Sequence, residues 1–441
     1  MKRVLQLILV FFLSQAIWAQ QSDEYLTKGQ CVLEDLMNSR GEKVYDLLNG
    51  EMKAAITAPQ LNSLWIGLTM QLGKCKEVTD WKEQVMNGSQ VITSRLNFEK
   101  QPLLFVVSFY DGKINGLRVI PDMDVAKEKV QARKPVSNEN FEEREINVVT
   151  GKFILPGYLT VPKSGSNFPC VVMVHGSGAN DRNETIGENR PFEDLAHGLA
   201  EKGIASVRYD KRAFVYQTQA VPEGENLNLS NEVTEDVLSA VKLACEQKEI
   251  DPSRIFVLGH SLGGMLAPRI ASLCPELKGI IMMAGNARPF DELITEQILY
   301  LNSLNPTPGA EEEAAQVKKE FENLRKMGTP QYDPAIKSPM GQPASYWQDF
   351  DNYRQTEVAK TLTLPVFILN GERDYNVTMV DFNIWQKVLK GKKNISFKSY
   401  PVLNHLFMES SVKPTPKDYE TPRHIPGYVI DDLAKWIQKQ K

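Results

Sequence analysis

The sequence predicts an α/β protein, a mostly parallel central sheet covered by helices, preceded by a small α+β domain. Three observations carry this. From residue 141 onward, short apolar runs at 171–174, 204–207, 255–258, 280–283 and 366–369 alternate with helical stretches. Strands that are apolar throughout are buried on both faces, which requires helices on both sides of a parallel sheet. The run at 255–258 enters the pentapeptide Gly259-His260-Ser261-Leu262-Gly263, a strand-to-turn pattern found at nucleophiles. Residues 22–122 instead show a helix followed by a strand meander.

Composition narrows the function. The chain has 441 residues, 42% hydrophobic and 24% charged, which excludes fibrous and wholly disordered classes. Lys and Arg number 51 against 55 Asp and Glu, a net charge of −4, so no nucleic-acid partner is expected. The five cysteines contain no C-x-x-C pair, and no ligand cluster or nucleotide fingerprint occurs, so neither a metal nor an organic cofactor is expected.

In chain order, residues 1–20 have the charged start, apolar run and small-residue cleavage point of a signal peptide. The apolar run is too short to span a bilayer, and no stable membrane insertion is expected. Its removal takes Lys2 and Arg3 with it and moves the charge from −4 to −6. The mature protein is expected in the periplasm or outside the cell.

Residues 22–122 form the predicted α+β domain. Thr57-Ala58-Pro59-Gln60 signals a helix start, Leu61, Leu64, Trp65 and Leu68 follow at helical spacing, and Gly73 ends the run. Runs at 103–109 and 114–120 joined through Asp111-Gly112 predict a hairpin. The layout resembles the cystatin-like or nuclear-transport-factor-like cone. Cys31 and Cys75 could pair in an oxidising compartment or remain free thiols. Residues 123–140, charged and carrying Pro135, are expected to be a linker.

Residues 141–441 are expected to form one catalytic domain. The segment 145–160 predicts an antiparallel edge pair, and 395–400 alternates as a half-exposed opposite edge should. At Gly259–Gly263 the nucleophile must sit in a strained turn so that its hydroxyl projects from the sheet. Its flanking glycines admit close backbone, and the following helix points its first amides at developing negative charge. Pro268 counts against an undistorted helix there.

With this context the motif resembles the α/β-hydrolase superfamily, nearest to secreted bacterial carboxylesterases of the serine-aminopeptidase-like group. The resemblance covers 141–441. It implies a triad in the chain order Ser, acid, His, with Ser261 as nucleophile. Asp374, after the strand at 366–369, fits the position of the acid, with Glu372 as the alternative. His405, in the loop after the edge strand, fits the base; His424 lies ahead of the final helix and is expected on the surface. The loop His175-Gly176-Ser177-Gly178 implies backbone oxyanion donors at Ser177 and Leu262, with Gly176 or Gly178 as alternatives because the triple-glycine form is absent. His175 is expected to be structural. Ala213 stands where Tyr209-Asp210-Lys211-Arg212 is otherwise followed by Gly, and Arg208, Asp210 and Arg212 are expected to form structural ion pairs.

About eighty residues separate 283 from 366, far more than a simple connection needs. The resemblance places a helical cap there, at about 286–355, with amphipathic helices marked by Ile294, Ile298 and Leu301 and by Val317, Phe321 and Leu324. Tyr346 and Trp347 are candidate substrate-binding residues. Glu311–Glu313 reads as charge favouring a first helical turn, with an ammonium-binding patch as the alternative. The implied activity is hydrolysis of a small-molecule carboxylic ester through an acyl-enzyme. A serine aminopeptidase on the same triad is the alternative, and a non-catalytic binding protein is a further one.

Overall fold

The structure, a computed structural model, describes residues 24–86, 88–304, 306 and 310–440. The expected signal peptide at 1–20 lies outside them. The chain divides into two compact units after Ala132. No helix among the described residues is long and apolar enough to cross a membrane.

The first unit is α+β. Its helix Ala58–Leu72 opens on a capping box: Thr57 Oγ1 accepts from Gln60 N and Gln60 Oε1 accepts from Thr57 N. Gly73 closes it at φ 80°. Four antiparallel strands follow, β1 Cys75–Met86, β2 Ser89–Phe98, β3 Pro102–Tyr110 and β4 Lys113–Pro121, paired in that order. The expected hairpin joins β3 to β4, with Asp111 and Gly112 both at positive φ as a two-residue turn of matching twist requires. Cys31 and Cys75 are free thiols. The segment 123–140, expected to be a linker, contains the boundary between the two units and is helical over Met123–Gln131, where Asp122 caps the helix by accepting from Asp124 N and Val125 N.

The second unit is built on eight strands: β5 Phe141–Thr150, β6 Phe153–Pro162, β7 Phe168–Val174, β8 Ala205–Tyr209, β9 Ile250–His260, β10 Leu277–Met283, β11 Val366–Gly371 and β12 Ile395–Tyr400. Their order is β12-β11-β10-β9-β7-β8-β6-β5. Pairing is parallel from β12 to β8, and antiparallel where β6 meets β8 and β5. Each apolar run is thus a strand, and β7, β8, β10 and β11 are buried almost throughout. Two apolar clusters, one on each face, confirm a sheet covered on both sides.

Buried ion pairs tie the antiparallel end to the rest. Arg208 Nη2 donates to Glu143 Oε1 at 2.6 Å, with both side chains essentially solvent-free. Arg182 grips Asp210 through two nitrogens, and Arg212 pairs with Asp236. The ion pairing expected of Arg208, Asp210 and Arg212 is therefore present.

The segment between β10 and β11 is helical as expected, with long helices Phe290–Leu304 and Ala310–Leu324 and shorter ones Ala344–Asn352 and Gln355–Thr361. Phe321 and Leu324 are buried, whereas Leu301 is exposed.

Candidate active site

The turn that carries Ser261, the expected nucleophile, is dictated by close packing at the end of β9. Ser261 has φ 54° and ψ −115°, a conformation costly for a residue with a Cβ. Its N–H donates to Met283 O at 2.9 Å, and its carbonyl accepts from Met265 N at 2.9 Å. The glycines are obligatory: a Cβ on Gly259 would lie 2.1 Å from Gly263 O, and one on Gly263 would lie 2.3 Å from Val174 O. The helix Leu262–Leu273 runs on through Pro268, giving up one ladder bond rather than breaking. Leu262 is its first residue, so its N–H lacks an intrahelical acceptor.

The end of β11 positions Asp374, the expected acid. Asp374 Oδ1 accepts from Asn376 N (2.7 Å) and Val377 N (2.9 Å), which turns Oδ2 toward His405 Nδ1 at 2.6 Å. Asp374 is buried. Glu372, the alternative, is exposed and accepts from Ser399 Oγ. Gly371 lets the base loop approach, since a Cβ there would meet Leu403 O at 2.3 Å. That loop is closed by Asn404, whose Oδ1 accepts from Leu406 N and Met408 N. His424 is exposed and contacts Asp194.

Ser261, Leu262, Ser177 and His405 share the wall of one cavity of about 250 Å³. Phe290, Leu293, Ile294 and Gln297 of the cap also line it. The Gly176 N–H is already committed: it donates to Glu184 Oε1 at 2.6 Å. Gly176 O accepts from Lys211 Nζ at 2.9 Å and from Asn180 Nδ2. That commits the Gly176 amide elsewhere, and of the expected donors Ser177, Gly178 and Leu262 remain. His175 packs between Phe192 and Tyr209, and burial pushes its pKa down to about 4 despite the opposing charge of Glu184. It is a neutral packing residue.

Tyr346 and Trp347 do not line this cavity, which corrects their reading as substrate contacts. Both are buried. Tyr346 Oη donates to Glu232, and Trp347 Nε1 donates to Pro339 O. Trp347 packs behind Phe290, ring centroids 5.1 Å apart, and Phe290 takes the wall position instead. Glu311–Glu313 are exposed on the first turn of their helix and are not among the lining residues.

Two site residues escaped sequence reasoning, Glu184 and His260. Both line the cavity, both are buried, and His260 Nδ1 lies 2.8 Å from Glu184 Oε2. His260 fills the first variable position of the pentapeptide, where sequence gives no reason to prefer a titratable group. Glu184 lies in a loop with no periodicity to mark it. Among the described residues, no group of three His, Cys, Asp or Glu side chains converges to hold a metal ion.

A strained serine turn, a carboxylate-held histidine and a capped cavity stand on an eight-stranded, mostly parallel sheet of the α/β-hydrolase type. The chain belongs to the family described as serine aminopeptidase, S33, which matches residues 167–410. Residues 30–117 match a family described as a protein of unknown function. The chain is 35% identical over 408 residues to Esterase EstD of Thermotoga maritima, covering 92% of this chain and 94% of that one. Among solved structures it is similar to Est1E from Butyrivibrio proteoclasticus, at 17% identity and TM-score 0.43, covering 67% of this chain and 98% of the other. It is also similar to a hyperthermophilic esterase from Pyrobaculum calidifontis, at 16% identity and TM-score 0.43, covering 72% and 93%.

Proposed function

We propose that the protein is a carboxylesterase in which Ser261, His405 and Asp374 form the catalytic triad. The observation that carries the triad is the 2.6 Å contact between Asp374 Oδ2 and His405 Nδ1, on a cavity whose wall also holds Ser261. The 35% identity to an esterase along nearly the whole chain supports the reaction class.

Asp374 keeps the proton of neutral His405 on Nδ1, leaving Nε2 as the base. Ser261 Oγ attacks the ester carbonyl carbon and His405 Nε2 takes its proton. The carbonyl oxygen becomes an oxyanion facing the N–H groups of Ser177 and Leu262. Collapse expels the alcohol, which takes the proton back from His405. Water then repeats the sequence on the acyl-enzyme, releasing the acid and free Ser261.

Esters are favoured over aminopeptidase substrates by the charges of the cavity. An aminopeptidase needs a free anion for the substrate ammonium. Among the described residues lining the cavity the acidic side chain is Glu184, and its two oxygens already face Gly176 N and His260. Phe290, Leu293 and Ile294 suit an acyl chain. The test compares kcat/KM for a short-chain p-nitrophenyl ester with that for aminoacyl anilides, using Ser261→Ala as blank. The ester is expected to win; preference for an anilide would make the protein an aminopeptidase. The leader-like residues 1–20 support the periplasm or the cell exterior as its compartment.

A further inference from the structure

We propose that Glu184 and His260 are positioning residues that lock the oxyanion loop and the base loop into one frame. The inference rests on the triad reading above, and neither residue is assigned a reacting atom.

The contacts run unbroken between the two loops. Gly176 N donates to Glu184 Oε1 at 2.6 Å, Glu184 Oε2 lies 2.8 Å from His260 Nδ1, and His260 Nε2 lies 2.8 Å from His405 O. The far end of that series is the backbone of the proposed base. The near end is the peptide preceding the Ser177 amide. Lys211 Nζ holds the carbonyl of Gly176 at 2.9 Å, so the loop is gripped from both sides.

Proton accounting shows that this is a built pair. The carbonyl of His405 can only accept, so His260 Nε2 must carry a hydrogen. A neutral ring would then aim its Nδ1 lone pair at an ionised carboxylate 2.8 Å away, two acceptors face to face. An ion pair of imidazolium and carboxylate removes that conflict, the two atoms meeting as opposite charges rather than through an aligned hydrogen bond. The electrostatics agree. Burial works against charge on both groups, yet their mutual attraction, together with the His405 carbonyl acting on His260 and the Gly176 amide acting on Glu184, raises the pKa of His260 and lowers that of Glu184.

The chain also spends strain to place Glu184. Its φ is +52°, in the left-handed region, which costs about 1 kcal/mol or more for a non-glycine residue. The Asp181 side chain holds the turn in place by accepting from Asn183 N, Thr185 N and Thr185 Oγ1. Arg182 anchors it to Asp210. Such a turn serves to deliver a carboxylate that reaches both Gly176 and His260.

The test compares Glu184→Gln with Glu184→Ala, reading kcat and KM on an ester alongside thermal unfolding. In Glu184→Gln the side-chain oxygen still accepts from Gly176, while its amide donates to Nδ1 of a neutral His260. Every contact survives without the extra proton, and kcat should stay within about tenfold of the parent. Glu184→Ala frees both loops and should lower kcat by roughly 100-fold with KM little changed, since a displacement of about 1 Å costs that much. A folded alanine variant with parental kcat, or a glutamine variant as slow as alanine, overturns the proposal. Should Glu184→Ala not fold, His260→Gln against His260→Ala gives the same comparison, because only the former can still donate to His405 O. Parental activity in Ser261→Ala would instead unseat the triad reading.

Discussion

Asp374 reaches His405 Nδ1 at 2.6 Å with one carboxylate oxygen while the other accepts two backbone amides, Asn376 and Val377. The carboxylate cannot turn without breaking bonds on both sides, and the imidazole is held with it. Aligning His405 is therefore built into the turn after β11.

Asp374→Asn should lower kcat by about 10⁴-fold, because an amide facing Nδ1 favours the tautomer whose Nε2 cannot act as base. Glu372→Gln should leave kcat near the parent value, since the exposed Glu372 side chain accepts from Ser399 and is not among the residues lining the cavity. Steady-state rates for the two variants decide between the carboxylates; equal losses would refute the assignment of Asp374.

Labelling with an organophosphonate should modify Ser261 and no other serine, read by mass spectrometry of the digested adduct. The strained turn at φ 54° is the reason, as it sets this hydroxyl at the cavity wall. An adduct elsewhere would remove Ser261 from its role.

The two C-terminal histidines should behave differently. His405→Ala should reduce kcat by several orders of magnitude, whereas His424→Ala, which loses only an exposed contact with Asp194, should change it little. Similar kcat values for the two variants would break the argument.

Acid should weaken the fold through Glu143. Burial alone would raise its pKa, but His197 and Arg208 overcome that and lower it from 4.5 to about 2. The folded value lies below the unfolded one, so the stabilisation is fully present above pH 4.5 and disappears as pH falls toward 2. At about 1.4 kcal/mol per unit, the stabilisation at stake is of the order of 3 kcal/mol. Urea unfolding at several pH values should show Glu143→Gln less stable at neutrality and less sensitive to acid than the parent. Equal acid sensitivity would show that Glu143 does not set it.

The sheet was legible because its physics is local: a strand buried on both faces must be apolar throughout, so β7, β10 and β11 declare themselves. β1 escaped notice for the converse reason. Its residues Cys75–Met86 are largely solvent-facing and carry no apolar signature. Ser261, Asp374 and His405 could be singled out in the sequence because each lies after a strand that announces its own end. Glu184 and His260 were not, since their significance lies in one meeting the other across 76 residues of chain. Tyr346 and Trp347 misled because a bulky aromatic pair in a cap fits a pocket wall and a packing layer equally well. Only the third dimension shows Phe290 standing in front of Trp347.

The two backbone bonds of Ser261, to Met283 and from Met265, also bear on how the enzyme can be silenced. A residue tied at once to a central strand and to the first turn of a buried helix has no small fluctuation that relaxes it. Its amide should be among the last to exchange with deuterated solvent, opening only when the core itself opens. The backbone that carries the Ser261 hydroxyl therefore has no alternative conformation short of opening that packing, and movement at the site is left to side chains and to the surrounding loops and cap.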